Sequence, residues 1–146
     1  MAALHNSIVS SPEPVVLVAH SLGCLTIAWW AYLFPEALRL VSAALLVAPP
    51  DLDCSAERHA PLKCFPSPPR SALPFPSVLV GSENDPYMTL DAARQLAEDW
   101  DSYFINAGPA GHIDPASGFG PWPRGERLLD QLVHWSDARR QRERAA

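Results

Sequence analysis

The sequence predicts an α/β fold, a parallel β-sheet with helices on both faces in three layers. Three observations carry that expectation. Short, mainly apolar runs at residues 15–19, 41–48, 77–81 and 102–106 suit strands, the first of them buried on both faces. Helical patterns follow the first, third and last of these, at residues 22–33, 90–100 and from 128 onward, and strands that alternate with helices assemble into parallel sheets. The residues with chemical reach, Ser21, the Asn84-Asp85 turn and His112, fall beyond strand C-termini, where open parallel sheets bind ligands.

In residues 1–14, Leu4 and Ile8 stand at helical spacing, as in the last turns of a helix leading into the first strand. Val15-Val16-Leu17-Val18 forms that strand, and Ala19-His20-Ser21-Leu22-Gly23 a sharp turn. Residues 22–33 read as a helix that is apolar nearly all round, stopped at Pro35. Residues 41–48 form the second strand, ended by Pro49-Pro50-Asp51. Residues 52–76 carry prolines at 61, 66, 68, 69, 74 and 76 with no clear period; a loop of that length either covers a binding site or is a surface insertion. Thr89 is placed to cap a helix whose Leu90, Ala93, Leu96, Ala97 and Trp100 lie on one face. After the fourth strand, residues 108–123 form a Gly- and Pro-rich loop holding His112. Leu128, Leu129, Leu132, Val133 and Trp135 mark a last helix, and residues 139–146 read as a frayed charged tail, leaving one domain over residues 1–138.

Composition narrows the function. At 146 residues the chain fits one core, and 48% apolar residues support a folded domain. A net charge of −5 argues against nucleic-acid binding. Three cysteines, an odd number, do not suggest a disulfide framework, and a reducing cytoplasm is the simplest setting. Cys24 belongs to the core helix; Cys54 and Cys64 have only His59 between them, too few ligands for a zinc site. No run approaches a membrane span and residues 1–11 lack the features of a signal peptide. No cofactor is expected.

Strand, tight turn with a serine at its tip, helix: this is the setting of a nucleophile elbow. The turn leaves little room two residues either side of the serine, and Ala19 and Gly23 hold those places, one methyl group away from G-x-S-x-G. A hydroxyl becomes a nucleophile when a base takes its proton, and the base needs a third group to fix its tautomer. The chain order Ser21, Asp85, His112 is the order of the α/β-hydrolases. Ser21 would attack an acyl carbon, His112 act as base and then acid, and Asp85 orient His112. The Leu22 N–H, at the helix start, would donate to the oxyanion.

The stretches VVLVAHSLGCL, ALLVAPPD, LPFPSVLVGSENDPYM and AGHIDPASGFGPWPRGERLL resemble the small serine hydrolases related to retinoblastoma-binding protein 9, especially their bacterial branch. The S-x-N-D-P-Y turn and the G-H…S-G-x-G-x-W-P loop are the distinctive parts. The resemblance implies an α/β-hydrolase fold with Ser21, Asp85 and His112 at the triad positions. Members of that family begin with a further strand, a Gly-rich loop and a helix, which supply the second oxyanion donor. Fourteen residues precede the nucleophile strand here, too few for strand and crossover together. The chain therefore looks N-terminally truncated, lacking that strand, with residues 15–18 an exposed apolar edge, and is expected to be poorly stable and a poor enzyme.

Asp51 is a rival acid, since its loop reaches the same sheet edge; strand order and the resemblance favour Asp85. Asp114 lies too near His112 in sequence and better caps a turn. His20 is expected to pack, and His5, His59 and His134 to lie on the surface. Trp29, Trp30, Trp100 and Trp135 stand at core spacing. Phe119 and Trp122 either line an acyl pocket or pack within their loop. Function then falls to a serine hydrolase of carboxylesterase type, whose expected partner is a small ester or amide substrate, with a catalytically idle binding or scaffold protein and a cofactor-free acyltransferase as alternatives. Retinoblastoma binding through L-x-C-x-E is discounted, because Leu52-Asp53-Cys54-Ser55-Ala56-Glu57 places its Glu one residue late and Leu62-Lys63-Cys64-Phe65-Pro66 lacks one.

Overall fold

The computed structural model describes residues 1–52 and 65–145. Cys54, His59, Cys64 and most of both L-x-C segments lie outside them. Four strands, β1 (Val15–His20), β2 (Val41–Val47), β3 (Ser77–Gly81) and β4 (Tyr103–Asn106), form one sheet in the order β1-β2-β3-β4, every pair parallel. The helices are α1 (Ala2–Val9), α2 (Leu22–Leu33), α3 (Leu90–Asp99) and α4 (Pro123–Ala145), with short 3-10 segments at Pro35–Leu40 and Pro115–Ser117. The expected strands and helices are present, most ends agreeing to within a residue or two, but α4 begins at Pro123, five residues before Leu128, at the end of the segment expected as a loop. The 3-10 segment after α2 was not expected: Pro35 stops the α-helix but, lacking only its own N–H, suits a helical first turn.

Strand alternation divides the core in two. Leu17, Ala44, Leu46 and Leu79 point to one face, where α1, α2 and α3 cover them with Ile8, Trp30, Leu96 and Trp100. Ala43, Leu45, Val47 and Val80 point to the other, under Leu128, Leu129 and Leu132 of α4. β2 is buried along its whole length, which explains its lack of any polar alternation. β1 and β4 are the edges, and Val18 on β1 is 57% exposed. Such an apolar edge is a template for further pairing.

Trp30 and Trp100 are wholly buried, and the Trp100 indole N–H donates to the Pro69 carbonyl at 2.8 Å. Trp100→Ala is expected to cost about 3–5 kcal/mol, a large part of a net stability of about 5–15 kcal/mol. A urea unfolding curve checks it: the midpoint should fall at unchanged slope. Trp135 departs from its expected core place. It is 50% exposed and lines a groove of about 770 Å³ at the N-terminal ends of β3 and β4, with Phe75, Tyr103 and Leu128. Its spacing puts it on the apolar stripe of α4, but the helix runs past the end of the sheet there. His5 is not a surface residue either; half-buried, it stacks on Phe34 with ring centroids 4.2 Å apart. The segment read as a frayed tail continues α4 to Ala145.

Candidate active site

The elbow is built by the join of β1 and α2. Ser21 has φ 55°, a conformation L-residues seldom adopt, and such outliers gather at functional turns. Its N–H donates to the Val47 carbonyl at 2.9 Å, extending the β1–β2 ladder one residue beyond the strand. A Cβ built on Gly23 would meet the Ala19 methyl at 3.4 Å, an ordinary contact. This is why alanine is tolerated at the position of the first motif glycine, and why a larger residue there would press on the helix. Beneath the turn, the Cys24 thiol contacts the Ala19 and Val47 carbonyls, and burial pushes its pKa up, so it is no nucleophile at neutral pH. Leu22 opens α2, so its N–H belongs to the first turn, where no intrahelical acceptor exists.

The loop after β3 and the loop after β4 meet over this turn. His112 Nδ1 lies 3.0 and 3.1 Å from the two Asp85 carboxylate oxygens, and Nε2 lies 2.9 Å from Ser21 Oγ. A carboxylate only accepts, so Nδ1 carries the proton and Nε2 is left to accept from the serine hydroxyl. The Asp85 and His112 side chains are 3% and 9% exposed, so the pair is largely dry and its hydrogen bond correspondingly strong. Asp85 Oδ1 also accepts from the Tyr87 N–H at 2.9 Å, which aims the carboxylate, and the Tyr87 ring lies 4.5 Å from the imidazole. The carboxylate that meets His112 is thus that of Asp85; Asp51 lies one loop away, its N–H donating to the Tyr87 carbonyl.

These groups are held by side chains of the two loops themselves, Ser82, Asn84 and Ser117. The Asn84 side-chain oxygen accepts from the Gly111 N–H at 2.6 Å, and Ser82 Oγ accepts from the Ala110 N–H at 3.0 Å. The acid-bearing turn therefore grips the histidine loop directly. Ser117 Oγ accepts from the His112 N–H at 2.9 Å while donating to Asp114. Asp114 caps the 3-10 turn as expected, and its bonds from Ser117 hold its carboxyl below the usual carboxylate range. The clue lay in the S-x-N-D-P-Y and S-G-x-G motifs themselves, whose Ser and Asn are the residue types that bond to nearby backbone.

Gly111 shows how closely the loop is folded. Its φ is +57°, and a Cβ there would stand 2.4 Å from Ser117 Oγ. Gly111→Ala is expected to destabilise the protein by about 1–3 kcal/mol through strain and displacement of Ser117. Thermal unfolding reads this out, and an unchanged midpoint would contradict the loop geometry.

Beside the elbow an open cavity of about 390 Å³ is lined by Val18, His20, Val47, Ile113, Trp122 and Leu129. Trp122 faces it, whereas Phe119 packs edge-on to Trp122 at 6.1 Å between ring centroids. Trp122 lies flat on the first turn of α4, where a Cβ on Gly125 would fall 2.0 Å from its ring. The larger groove at the other end of the strands has no part of the Ser21–His112–Asp85 chain in its walls. Among the described residues, no three His, Cys, Asp or Glu side chains are grouped to hold a metal ion, and no helix is long and apolar enough to cross a membrane.

The family model described as serine hydrolase matches residues 1–131. The chain belongs to the serine hydrolase family. Among solved structures, a YdeN-like hydrolase from Pectobacterium atrosepticum is 30% identical, with a TM-score of 0.74, over 94% of this chain and 67% of that one. The YdeN protein of B. subtilis shares 18% identity at a TM-score of 0.64, covering 91% of this chain and 73% of its own. An esterase from Pyrococcus furiosus shares 15% at a TM-score of 0.65, over 92% of this chain and 60% of its own. These last two speak for the fold alone. Among curated proteins no sequence match is found. The fold of this serine hydrolase is thus an α/β-hydrolase fold, and the narrower likeness to the retinoblastoma-binding protein 9 relatives rests on the motifs.

Proposed function

We propose that this serine hydrolase cleaves small esters, of carboxylesterase type, through an acyl-enzyme on Ser21. The observation that carries the reading is the hydrogen-bonded chain from Ser21 Oγ through His112 to Asp85, at 2.9 and 3.0 Å. In the first half-reaction Oγ bonds to the acyl carbon as its proton passes to His112 Nε2. The tetrahedral intermediate collapses, the ester C–O bond breaks, and the same proton goes to the departing alkoxide, releasing an alcohol. Water then repeats the sequence: His112 takes its proton, the acyl–Oγ bond breaks, and the proton returns to Ser21. One ester and one water give one acid and one alcohol. Asp85 stays ionised throughout and stabilises the imidazolium. The Leu22 N–H donates to the oxyanion in both steps.

Amides and acceptors other than water fit the same chemistry. Esters come first because an alkoxide leaves more readily than an amine. The ordered, desolvated triad geometry favours an enzyme over an idle scaffold, since a dry Asp–His pair has no packing benefit over apolar residues of similar size.

The test is to react the protein with p-nitrophenyl acetate, quench it and locate the acetyl group by peptide mass spectrometry. Acetyl on Ser21, with turnover above the buffer rate, is the expected result. Turnover with no acyl-serine would sink the mechanism, and products formed with added alcohol in preference to water would turn the reading to acyl transfer.

A further inference from the structure

His20, the residue before Ser21, does more than pack. Its Nε2–H donates to the His112 carbonyl at 2.8 Å, and the two rings lie 4.8 Å apart at 60°. A carbonyl only accepts, so His20 carries its proton on Nε2. The peptide unit it holds joins His112 to Ile113, and the other polar atom of that unit is also tied, the Ile113 N–H donating to the Ala110 carbonyl at 3.1 Å.

That unit needs holding. Ile113 has φ 51°, and a β-branched residue in the left-handed region is a true outlier, crowding its Cβ against backbone. Relaxation of Ile113 toward ordinary φ would rotate the His112–Ile113 peptide and, through the shared Cα, re-aim the imidazole. The His112 backbone is instead gripped at both ends, its N–H by Ser117 Oγ and its C=O by His20. Because His20 and Ser21 are neighbours at one strand end, the group that holds the base and the group the base must meet sit on the same rigid element.

We infer that His20 is a positioning residue for His112, using its Nε2–H to hold the strained His112–Ile113 peptide so that the imidazole meets Ser21. The inference rests on the proposed triad chemistry for its effect on rate, and on the hydrogen bond alone for its effect on the loop.

Three variants of the whole chain separate donor from ring. His20→Phe keeps a ring and removes the donor. His20→Gln keeps an N–H at similar reach without the ring. His20→Phe in an Ile113→Gly background removes the strain the donor opposes, since glycine takes positive φ freely. With p-nitrophenyl acetate, H20F should lose about 10²-fold in kcat, the effect of a misplaced base, while KM moves less than about threefold. H20Q should recover at least about tenfold of that loss, and the loss caused by H20F should shrink in the I113G background. A kcat for H20F within about twofold of the parent would overturn the inference. So would equal losses in H20F and H20Q, which would make the ring the working part.

A readout free of turnover runs beside this one. The His112 Nδ1–H, bonded to Asp85, should give a low-field proton resonance that survives in H20Q and in Ser21→Ala but broadens or vanishes in H20F. If the parent neither hydrolyses the ester nor acquires acetyl on Ser21, the proposed function fails, and this resonance alone decides the role of His20: unchanged in H20F, it overturns the inference. Should H20F lack a cooperative thermal transition, His20→Asn, whose amide falls short of the carbonyl, takes its place.

Discussion

Ser21→Ala is expected to abolish labelling by a fluorophosphonate probe and to lower turnover of p-nitrophenyl acetate on the order of 10⁶-fold, the size of nucleophile loss in a well-studied serine hydrolase. On the proposed mechanism the hydroxyl supplies the covalent step itself. Among the described residues, the thiol nearest the turn cannot replace it: Cys24 is buried beneath the turn, with its pKa pushed up and its contacts turned toward backbone carbonyls. The fold should survive, because the bond that anchors the turn comes from the Ser21 backbone N–H to Val47, and alanine keeps it. The measurement pairs active-site labelling with a thermal-unfolding curve on each protein. Label retained by a cooperatively folded Ser21→Ala protein would mean that another residue is the nucleophile.

Asp85→Asn should lower turnover by about 10⁴-fold, as in the best-studied triad. An amide nitrogen in place of a carboxylate oxygen can donate to His112 Nδ1. The ring proton then moves to Nε2, which can no longer accept from Ser21. The amide oxygen can still take the Tyr87 N–H that the Asp85 carboxylate holds, so the turn should stay folded. Asp51→Asn is the control, since its loop reaches the same edge and it stood as the alternative acid. It should have a much smaller effect. A larger loss from Asp51→Asn than from Asp85→Asn would reassign the acid and with it the geometry of the histidine loop.

The elements of this protein were legible because their causes are local. A run of Val and Leu without polar alternation can only be a strand buried on both faces or a short piece of buried helix, and the prolines and small turn residues at its ends select the strand. Ala19, Ser21 and Gly23 announce the elbow because the turn excludes side chains on either side of its tip. Thr89 and Asp114 cap their turns through bonds that span three residues. Even the order Ser21, Asp85, His112 is a local reading in this sense, since each residue lies just after a strand and parallel strands all end on one side.

What tertiary structure alone decided are the relations between loops. Asp51 and Asp85 both follow strands, and although strand order and the resemblance favour Asp85, only the parallel stacking of β2, β3 and β4 shows the Asp85 carboxylate meeting His112. Trp30 and Trp135 both stand at core spacing, but the first is packed inside the cluster beneath α1, α2 and α3 while the second borders an open groove at the N-terminal ends of β3 and β4, so one is buried and the other half exposed. Helical periodicity names the face of a helix and says nothing about what covers it. The hold of His20 on the His112 carbonyl crosses 92 residues. No local pattern encodes it, because it depends on a strained φ at Ile113 and on two loops closing over one strand end, and those exist only once the sheet has assembled.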